Sequence, residues 1–331
     1  MDKKDLRIVY MGTPDFAVES LRVLVENGYN VVGVVTTPDR FIGRHMSTPI
    51  ACPVKIYAES VNIPTLCPEK LKDEDFLNQL RSFEADLQII VAFRMLPEVV
   101  WNMPRLGTFN LHASLLPKYR GAAPINWAII NGEEETGVTT FFLDHEIDTG
   151  GVIAQKRLAI AETDNVGIVH DKLMILGAKL VTKTVDMIIE GKTDTIPQEF
   201  LCSSLTELRP APKIFKETCR IDWDSTPENI YNFIRGLSPY PAAWSEFVSP
   251  DGTRTAMKIY EAEKKIKRHR MEVGTLKLVD KNTLDVATDG GFIRLKHIQL
   301  AGKKAMPAAD FLNGLLNSLK DIKEIERFHF E

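Results

Sequence analysis

Up to about residue 190, short continuous apolar runs alternate with stretches whose apolar residues recur every three to four positions. Leu6–Met11 is a buried-strand candidate. Thr13-Pro14 then reads as N-cap and first helical residue, opening a helix through Phe16, Leu21, Leu24 and Val25 to Gly28. Tyr29–Thr36, rich in valine, is a second strand. Val54–Val61 and the amphipathic Asp73–Phe83 follow as helices, Leu87–Phe93 and Gly107–His112 as further strands. Pro124–Ile130 opens another helix, Val138–Leu143 is another strand, and Val166–Glu190 is a long closing helix. Apolar strands without polar alternation, separated by helices, predict a doubly wound, mostly parallel α/β sheet covered on both faces.

The pattern changes after that helix. Residues 192–212 mix Gly, Pro, Thr and Ser without periodicity and read as a linker between a domain at 1–191 and a second at 213–331. Thr226–Leu237 carries a helix start signal. Short strand-like runs follow at Trp244–Val248, Ala256–Tyr260, Val273–Val279, Thr283–Ala287 and Phe292–Ile298. Pro250-Asp-Gly, Asp280-Lys-Asn and Asp289-Gly-Gly separate several of them. Such spacing predicts a small open β-barrel.

Composition adds exclusions. At 331 residues with 44% hydrophobic and 26% charged positions, the chain has the make-up of an ordinary soluble globular protein of two domains. No apolar run approaches membrane-spanning length, so no membrane partner is expected, and Met1–Arg7 lacks the apolar core of a secretory signal. The four cysteines have no Cys-x-x-Cys spacing and the seven histidines no His-x-x-x-His pattern, so no metal is expected; reduced thiols and a cytoplasmic location are the default. The net charge is −4. Residues 206–331 hold 21 Lys+Arg against 18 Asp+Glu, a net of +3, which leaves −7 for the remainder. The basic excess gathers at Lys264, Lys265, Lys267, Arg268 and Arg270. It reads either as a solvated hairpin or as a patch that contacts phosphates.

The candidate chemistry lies between Asn110 and Gly150. In the strand-like run Thr-Phe-Asn-Leu-His, Asn110 and His112 face the same side. Asp148, in Asp-Thr-Gly, must come from a neighbouring segment to join them. An amide donor, an imidazole and an orienting carboxylate are the groups needed to stabilise a tetrahedral acyl-transfer intermediate. Ser114-Leu-Leu-Pro117 reads as a turn leaving a strand. Ser114 is no serine nucleophile, because the Gly-x-Ser-x-Gly elbow is absent. Gly12-Thr13-Pro14 follows a strand and precedes a helix without Gly-x-Gly-x-x-Gly, so no dinucleotide is expected.

Asn110-x-His112, Ser114-Leu-Leu-Pro117 and Asp148-Thr-Gly150, in this order and spacing, resemble the formyltransferases that use 10-formyltetrahydrofolate. Met11–Ala17, Arg120-Gly-Ala-Ala-Pro-Ile125 and Ala301–Met306 narrow the resemblance to members acting on methionyl initiator tRNA in translation initiation. It implies a Rossmann-like catalytic domain followed by an OB-like barrel, and an enzyme that transfers a formyl group from 10-formyltetrahydrofolate to the α-amino group of methionine on that tRNA. In that implied chemistry Asn110 donates to the formyl oxygen, His112 supplies a second donor, and Asp148 orients His112 and takes the amine proton. The attacking α-amino group has a pKa of about 7.7–8 and needs no strong base. The same resemblance assigns the reduced folate to Ala92, Phe93, Arg94, Met95 and Leu96, to Ser114, Leu115, Leu116 and Pro117, and to Asp144, His145, Glu146, Ile147 and Asp148. Many relatives carry an aromatic-Gly pair where this chain has Phe93-Arg94. It assigns tRNA to the irregular loop from Pro38, through Arg40 and Arg44, with the basic cluster Lys264–Arg270 as a further candidate surface; a monomer is expected. The competing readings are formylation of an aminosugar nucleotide and a non-catalytic folate- or RNA-binding protein on the same scaffold. The long loop with Gly43-Arg44 and the full second domain favour tRNA over the sugar, and the intact trio argues against loss of catalysis.

Overall fold

A computed structural model describes residues 2–41, 49–201, 208–319 and 321–331. The chain divides into two compact units. The first comprises Met1–Pro124, Glu135–Ala159 and His170–Pro210; the second comprises Ile125–Glu134, Ile160–Val169 and Ala211–Glu331. Two short segments that precede the linker therefore fold with the second unit, and the main boundary falls near the end of the segment read as a linker.

In the first unit β1 (Ile8–Gly12) leads into α1 (Asp15–Glu26) and β2 (Val31–Val35). A short pair, β3 (Arg40–Phe41) and β4 (Pro49–Ile50), precedes α2 (Pro53–Ser60), β5 (Thr65–Leu66) and α3 (Glu74–Ser82). Then come β6 (Leu87–Val91), α4 (Glu98–Trp101), β7 (Thr108–His112), α5 (Pro124–Ile130), β8 (Glu135–Phe142), β9 (Val152–Ala159) and α6 (Val166–Ile189). The sheet order is β5-β2-β1-β6-β7-β8-β9. It is parallel from β5 to β7; β8 and β9 add as antiparallel strands. Every residue of β1 and β6 is buried, as a sheet covered on both faces requires. Val9, Met11 and Ile90 meet Phe76, Leu77 and Leu80 of α3, and Tyr10 ties β1 to α1 by donating its hydroxyl proton to the Ala17 carbonyl. The chain leaves β1 toward β2 and later returns to β6 on β1's other side. The topological switch point therefore lies at the carboxyl ends of β1 and β6, where open sheets of this kind bind ligands.

The second unit packs α7 (Pro227–Leu237) against an antiparallel sheet of β10 (Ala243–Val248), β11 (Arg254–Lys265), β12 (Leu276–Asp280), β13 (Thr283–Thr288) and β14 (Gly291–Leu300). β15 (Met306–Pro307), α8 (Ala308–Ser318) and β16 (His329–Phe330) complete it. The order β12-β13-β14-β11-β10-β16 closes on itself through a bridge between Thr275 and His329. Gly274 makes the closure possible. Its φ is +84°, and a Cβ there would lie 2.3 Å from the Phe330 carbonyl oxygen. Met257, Ile259, Leu276, Val286, Ile293 and Ile298 fill the barrel with Trp223 and Phe330.

The longer expected elements hold, with these differences. Thr13 does not cap α1. Pro14 occupies the N-cap position in extended geometry (φ −78°, ψ 173°) and offers no side-chain acceptor, so the helix begins at Asp15, whose carboxylate suits the positive end of the helix dipole. β6 stops at Val91 rather than Phe93, because Ala92 turns to φ 48°. β9 and α8 (Ala308–Ser318) were not foreseen; the half-polar Val152–Ala159 has the exposed outer residues of an edge strand. The segment expected to be a plain linker pairs with the sheet edge at Ile196–Val152 and forms a 3-10 turn at Gln198–Leu201.

Candidate active site

β7 delivers the amide and the imidazole. Its register sets Asn110 between Ile90 of β6 and Phe141 of β8, and His112 opposite Thr139, which in turn faces Gln155 of β9. Asn110 and His112 thus occupy the carboxyl end of a strand next to the switch point. Asn110 is half-buried, and among the described residues its carboxamide has no hydrogen-bond partner. That donor is available to a ligand.

His112 is 6% exposed, and its Nε2 lies 2.8 Å from the Tyr119 carbonyl oxygen. A carbonyl only accepts, so Nε2 carries a proton and donates. The nitrogen left to gain or lose a proton is Nδ1. It faces Asp148 Oδ2 at 3.9 Å, beyond hydrogen-bond reach. The same carboxylate oxygen accepts the Gly121 backbone N–H at 3.0 Å. Ala92, Tyr119 and Asp148 all sit in the left-handed region, at φ 48°, 61° and 56°. Such backbone costs on the order of 1–3 kcal/mol at each non-glycine position, and it clusters where function demands a fixed geometry. Gly150 of Asp-Thr-Gly has a direct steric reason: a Cβ would fall 1.8 Å from the Phe142 carbonyl oxygen.

The turn after β7 is held from the sheet. Thr139 donates its hydroxyl proton to the Ser114 carbonyl at 2.7 Å and accepts the Leu116 N–H at 3.1 Å. Gln155 Nε2 donates to the Leu116 carbonyl at 2.8 Å and to Thr139 Oγ1 at 3.0 Å. Ser114 donates its own hydroxyl to the Lys118 carbonyl. Ser114, Leu116 and Pro117 are buried within this turn, and Leu115 is half-buried. The hydroxyl of Ser114 is therefore occupied in holding Lys118.

The remaining sequence-proposed residues divide. Ala92 and Met95 are exposed just past β6, Phe93 is half-buried and Leu96 is buried. Arg94 is turned to the Pro68 and Glu69 carbonyls and lies 5.6 Å from the Phe93 ring centre; burial lowers its guanidinium pKa. Its two Nη groups are thus held by the protein, while its Nε is buried without a partner among the described residues. Asp144, His145, Glu146 and Ile147 form an exposed rim leading to Asp148, with His145 edge-on to Trp101. The Thr13 hydroxyl oxygen, next to Gly12 at the end of β1, is buried without a partner. Arg40 is exposed on β3, whose pairing with β4 closes the base of the long loop, while Lys55 donates to both oxygens of Asp39. Ile42–Thr48, including Arg44, lies outside the described residues.

In the second unit the five cations of the basic run are unequal. Lys264 pairs with Glu162 at 2.8 Å and Glu228 at 2.6 Å, and Lys265 pairs with Glu263 at 2.8 Å. Lys267, Arg268 and Arg270 are exposed and have no ion pair among the described residues. His269 fixes their loop by directing Nε2 at the Thr288 and Gly291 carbonyls, 2.9 and 2.8 Å away.

Four contributors escaped the sequence reading: the Tyr119 carbonyl, Thr139, Gln155 and Gln198, which bonds to Asp148 and Gly150. A backbone carbonyl has no sequence signature. Thr139 had one weak signal, a polar residue inside a strand otherwise buried. Thr139→Val keeps the shape and strands the Leu116 N–H. It is expected to lower the unfolding free energy by about 1–3 kcal/mol, read from urea titration. An unchanged urea midpoint and slope would remove Thr139 as the support of the turn.

Comparison with known proteins follows the same division of the chain. The formyl transferase profile matches residues 6–185, and the formyl transferase C-terminal domain profile matches residues 213–316. A methionyl-tRNA formyltransferase of Parabacteroides distasonis is 67% identical over 314 residues, covering 95% of this chain and 97% of its own. One from Phocaeicola vulgatus is 65% identical over 318 residues, covering 96% and 98%. Among solved structures, HypX from Aquifex aeolicus superposes with a TM-score of 0.62 at 18% identity over 95% of this chain and 48% of that one, a likeness of fold. The chain belongs to the methionyl-tRNA formyltransferase family.

Proposed function

We propose that Asn110, His112 and Asp148 carry the formyl group of 10-formyltetrahydrofolate to the α-amino group of methionyl initiator tRNA. Formyl transfer to methionyl-tRNA is the activity by which the relatives at 50–67% identity are named. The observation that carries the residue assignment is the unpaired Asn110 carboxamide beside an imidazole whose Nε2 is committed to Tyr119.

The neutral amine attacks the formyl carbon, and the carbonyl oxygen becomes an oxyanion. Asn110 donates to it from the side-chain amide. His112, protonated on Nδ1, donates from its free edge. The amine nitrogen gains positive charge as the C–N bond forms, and Asp148 accepts its proton directly or through water. Gly121 already holds one Asp148 oxygen at 3.0 Å, and the other has no partner among the described residues. Collapse of the intermediate breaks the bond to the folate nitrogen, which takes a proton as it leaves. Preformed donors of this kind typically contribute about 100- to 1000-fold each.

The donor site we assign to the crevice at the switch point. Ala92–Leu96 leaves β6 there, the exposed Asp144–Ile147 rim lies in the segment that ends at Asp148, and the buried, unpartnered Thr13 hydroxyl supports a polar ligand nearby. The solved HypX structure of similar fold contains tetrahydrofolic acid, which supports a folate as occupant. For the turn Ser114–Pro117 the contact falls to backbone and Leu115, since its other side chains are buried. tRNA phosphates are assigned to Lys267, Arg268 and Arg270, with Lys264 and Lys265 in lesser roles because acidic neighbours neutralise them. Arg40, Arg44 and the loop between them are assigned to the acceptor end. No helix among the described residues is long and apolar enough to cross a membrane.

Single Ala replacements of Asn110, His112 and Asp148 are each expected to lower turnover by roughly 100-fold or more. Paired replacements should cost much less than the product of the singles, because the trio acts as a unit. A His112→Ala enzyme with near-normal turnover on charged initiator tRNA would refute the assignment. Neutralising Lys267 and Arg268 together is expected to flatten the slope of log tRNA affinity against log salt by about one to two units, at roughly 0.7–0.9 per phosphate contact. Folate affinity should not change. An unaltered slope would place the tRNA on another face of the barrel.

A further inference from the structure

Gln198 belongs to the stretch that the sequence reading passed over as a linker, yet it is only 4% exposed. Its Nε2 donates to the Asp148 carbonyl at 2.8 Å and to the Gly150 carbonyl at 2.9 Å. Its Oε1 accepts from Arg120 Nε at 3.1 Å and Nη2 at 2.7 Å. A carboxamide offers two N–H donors and one oxygen with two lone pairs, so all four positions are used. Just upstream, Ile196 and Val152 exchange backbone hydrogen bonds of 2.9 Å in each direction, fixing the base of this segment to the start of β9.

The four bonds form part of a ring. Arg120 precedes Gly121, whose N–H holds the Asp148 carboxylate at 3.0 Å. Gln198 holds the backbone of the same aspartate, and Arg120 joins the two ends. Asp148 needs such restraint. Its φ of 56° is unfavourable for a residue with a side chain, and its carboxylate stands 3.9 Å from His112 Nδ1, where a small shift alters what it can reach. We infer that Gln198 is a positioning residue for formyl transfer: it clamps the Asp148–Gly150 backbone so that the carboxylate meets His112 Nδ1 and the incoming amine in register. It touches neither folate nor tRNA in this role. The inference rests on the reading of Asp148 as the proton acceptor.

A side chain that merely holds the fold would lose stability and change turnover independently of Asp148. A positioning residue acts through Asp148, so its loss should vanish when Asp148 is gone. Gln198→Met preserves length and removes all four bonds. Gln198→Glu keeps an acceptor for Arg120 but sets a carboxylate oxygen against two carbonyls. Both are expected to lower kcat by roughly 10- to 100-fold, the scale of a misplaced catalytic group. KM for folate and for charged tRNA should stay within about threefold. In an Asp148→Ala background, either Gln198 change should lower kcat by less than about twofold further. If Gln198→Met fails to fold, Gln198→Glu is read by the same two ratios. Normal kcat in the Gln198 variants with Asp148→Ala inactive would overturn the inference alone. So would losses that multiply in the double variant, or losses confined to KM. Near-normal turnover in Asp148→Ala would overturn the reading of Asp148, and the inference with it.

Discussion

The carbonyl of Tyr119 accepts a hydrogen bond from His112 Nε2 at 2.8 Å, and this single bond leaves Nδ1 as the open edge of the imidazole. Rotating that carbonyl away would free the ring to turn and would leave Nδ1 no more committed to chemistry than Nε2. The rest of the site keeps the carbonyl in place. Tyr119 holds a left-handed φ of 61°, and its own N–H donates to the Arg209 carbonyl at 2.6 Å. The turn before it is pinned to Thr139 and Gln155, side chains that lie beside His112 in one row across β7, β8 and β9. Strain in the turn is thus balanced by hydrogen bonds whose partners are fixed by sheet register, and register slips of one residue would turn every member of the row to the opposite face.

The parallel part of the sheet supplies location and the antiparallel part supplies support. β1 and β6 define the switch-point crevice, β7 brings Asn110 and His112 to its edge, and β8 and β9 add the polar row that no parallel neighbour provides. Asp148 comes from the connection between β8 and β9, so the two antiparallel strands also deliver the carboxylate. The second unit is organised differently. Its barrel closes at Gly274, and its exposed cations stand on a loop that His269 fastens to the strand ends.

Much of this was legible in the chain. The valine-rich and isoleucine-rich runs marked the parallel strands because burial on both faces leaves no room for polar alternation. Asn110 and His112 could be singled out because a two-residue spacing in a strand puts both on one face, and Asp148 because Asp-Thr-Gly is an element of the formyltransferase resemblance; the fold then gives its glycine a reason, since a Cβ on Gly150 would lie 1.8 Å from the Phe142 carbonyl oxygen. What escaped notice was long-range and carried by groups without a local pattern. Gln198 looked like one polar residue among many in an aperiodic stretch, and only the fold brings it to Asp148, fifty positions away. The charge count found a basic run but could not foresee that Glu162, Glu228 and Glu263 neutralise Lys264 and Lys265. The contacts of the Arg94 Nη groups with the Pro68 and Glu69 carbonyls had no local pattern either.

The Tyr119 carbonyl locks neutral His112 with its proton on Nε2 and its Nδ1 facing Asp148. Nitrogen-15 NMR of the imidazole side chains, with the His112 signals identified by their loss in a His112→Asn protein, reads the tautomer directly across a pH series. Neutral His112 is expected to carry its proton on Nε2 alone. A neutral His112 found as the Nδ1–H tautomer, or as a rapidly exchanging mixture of the two, would contradict it.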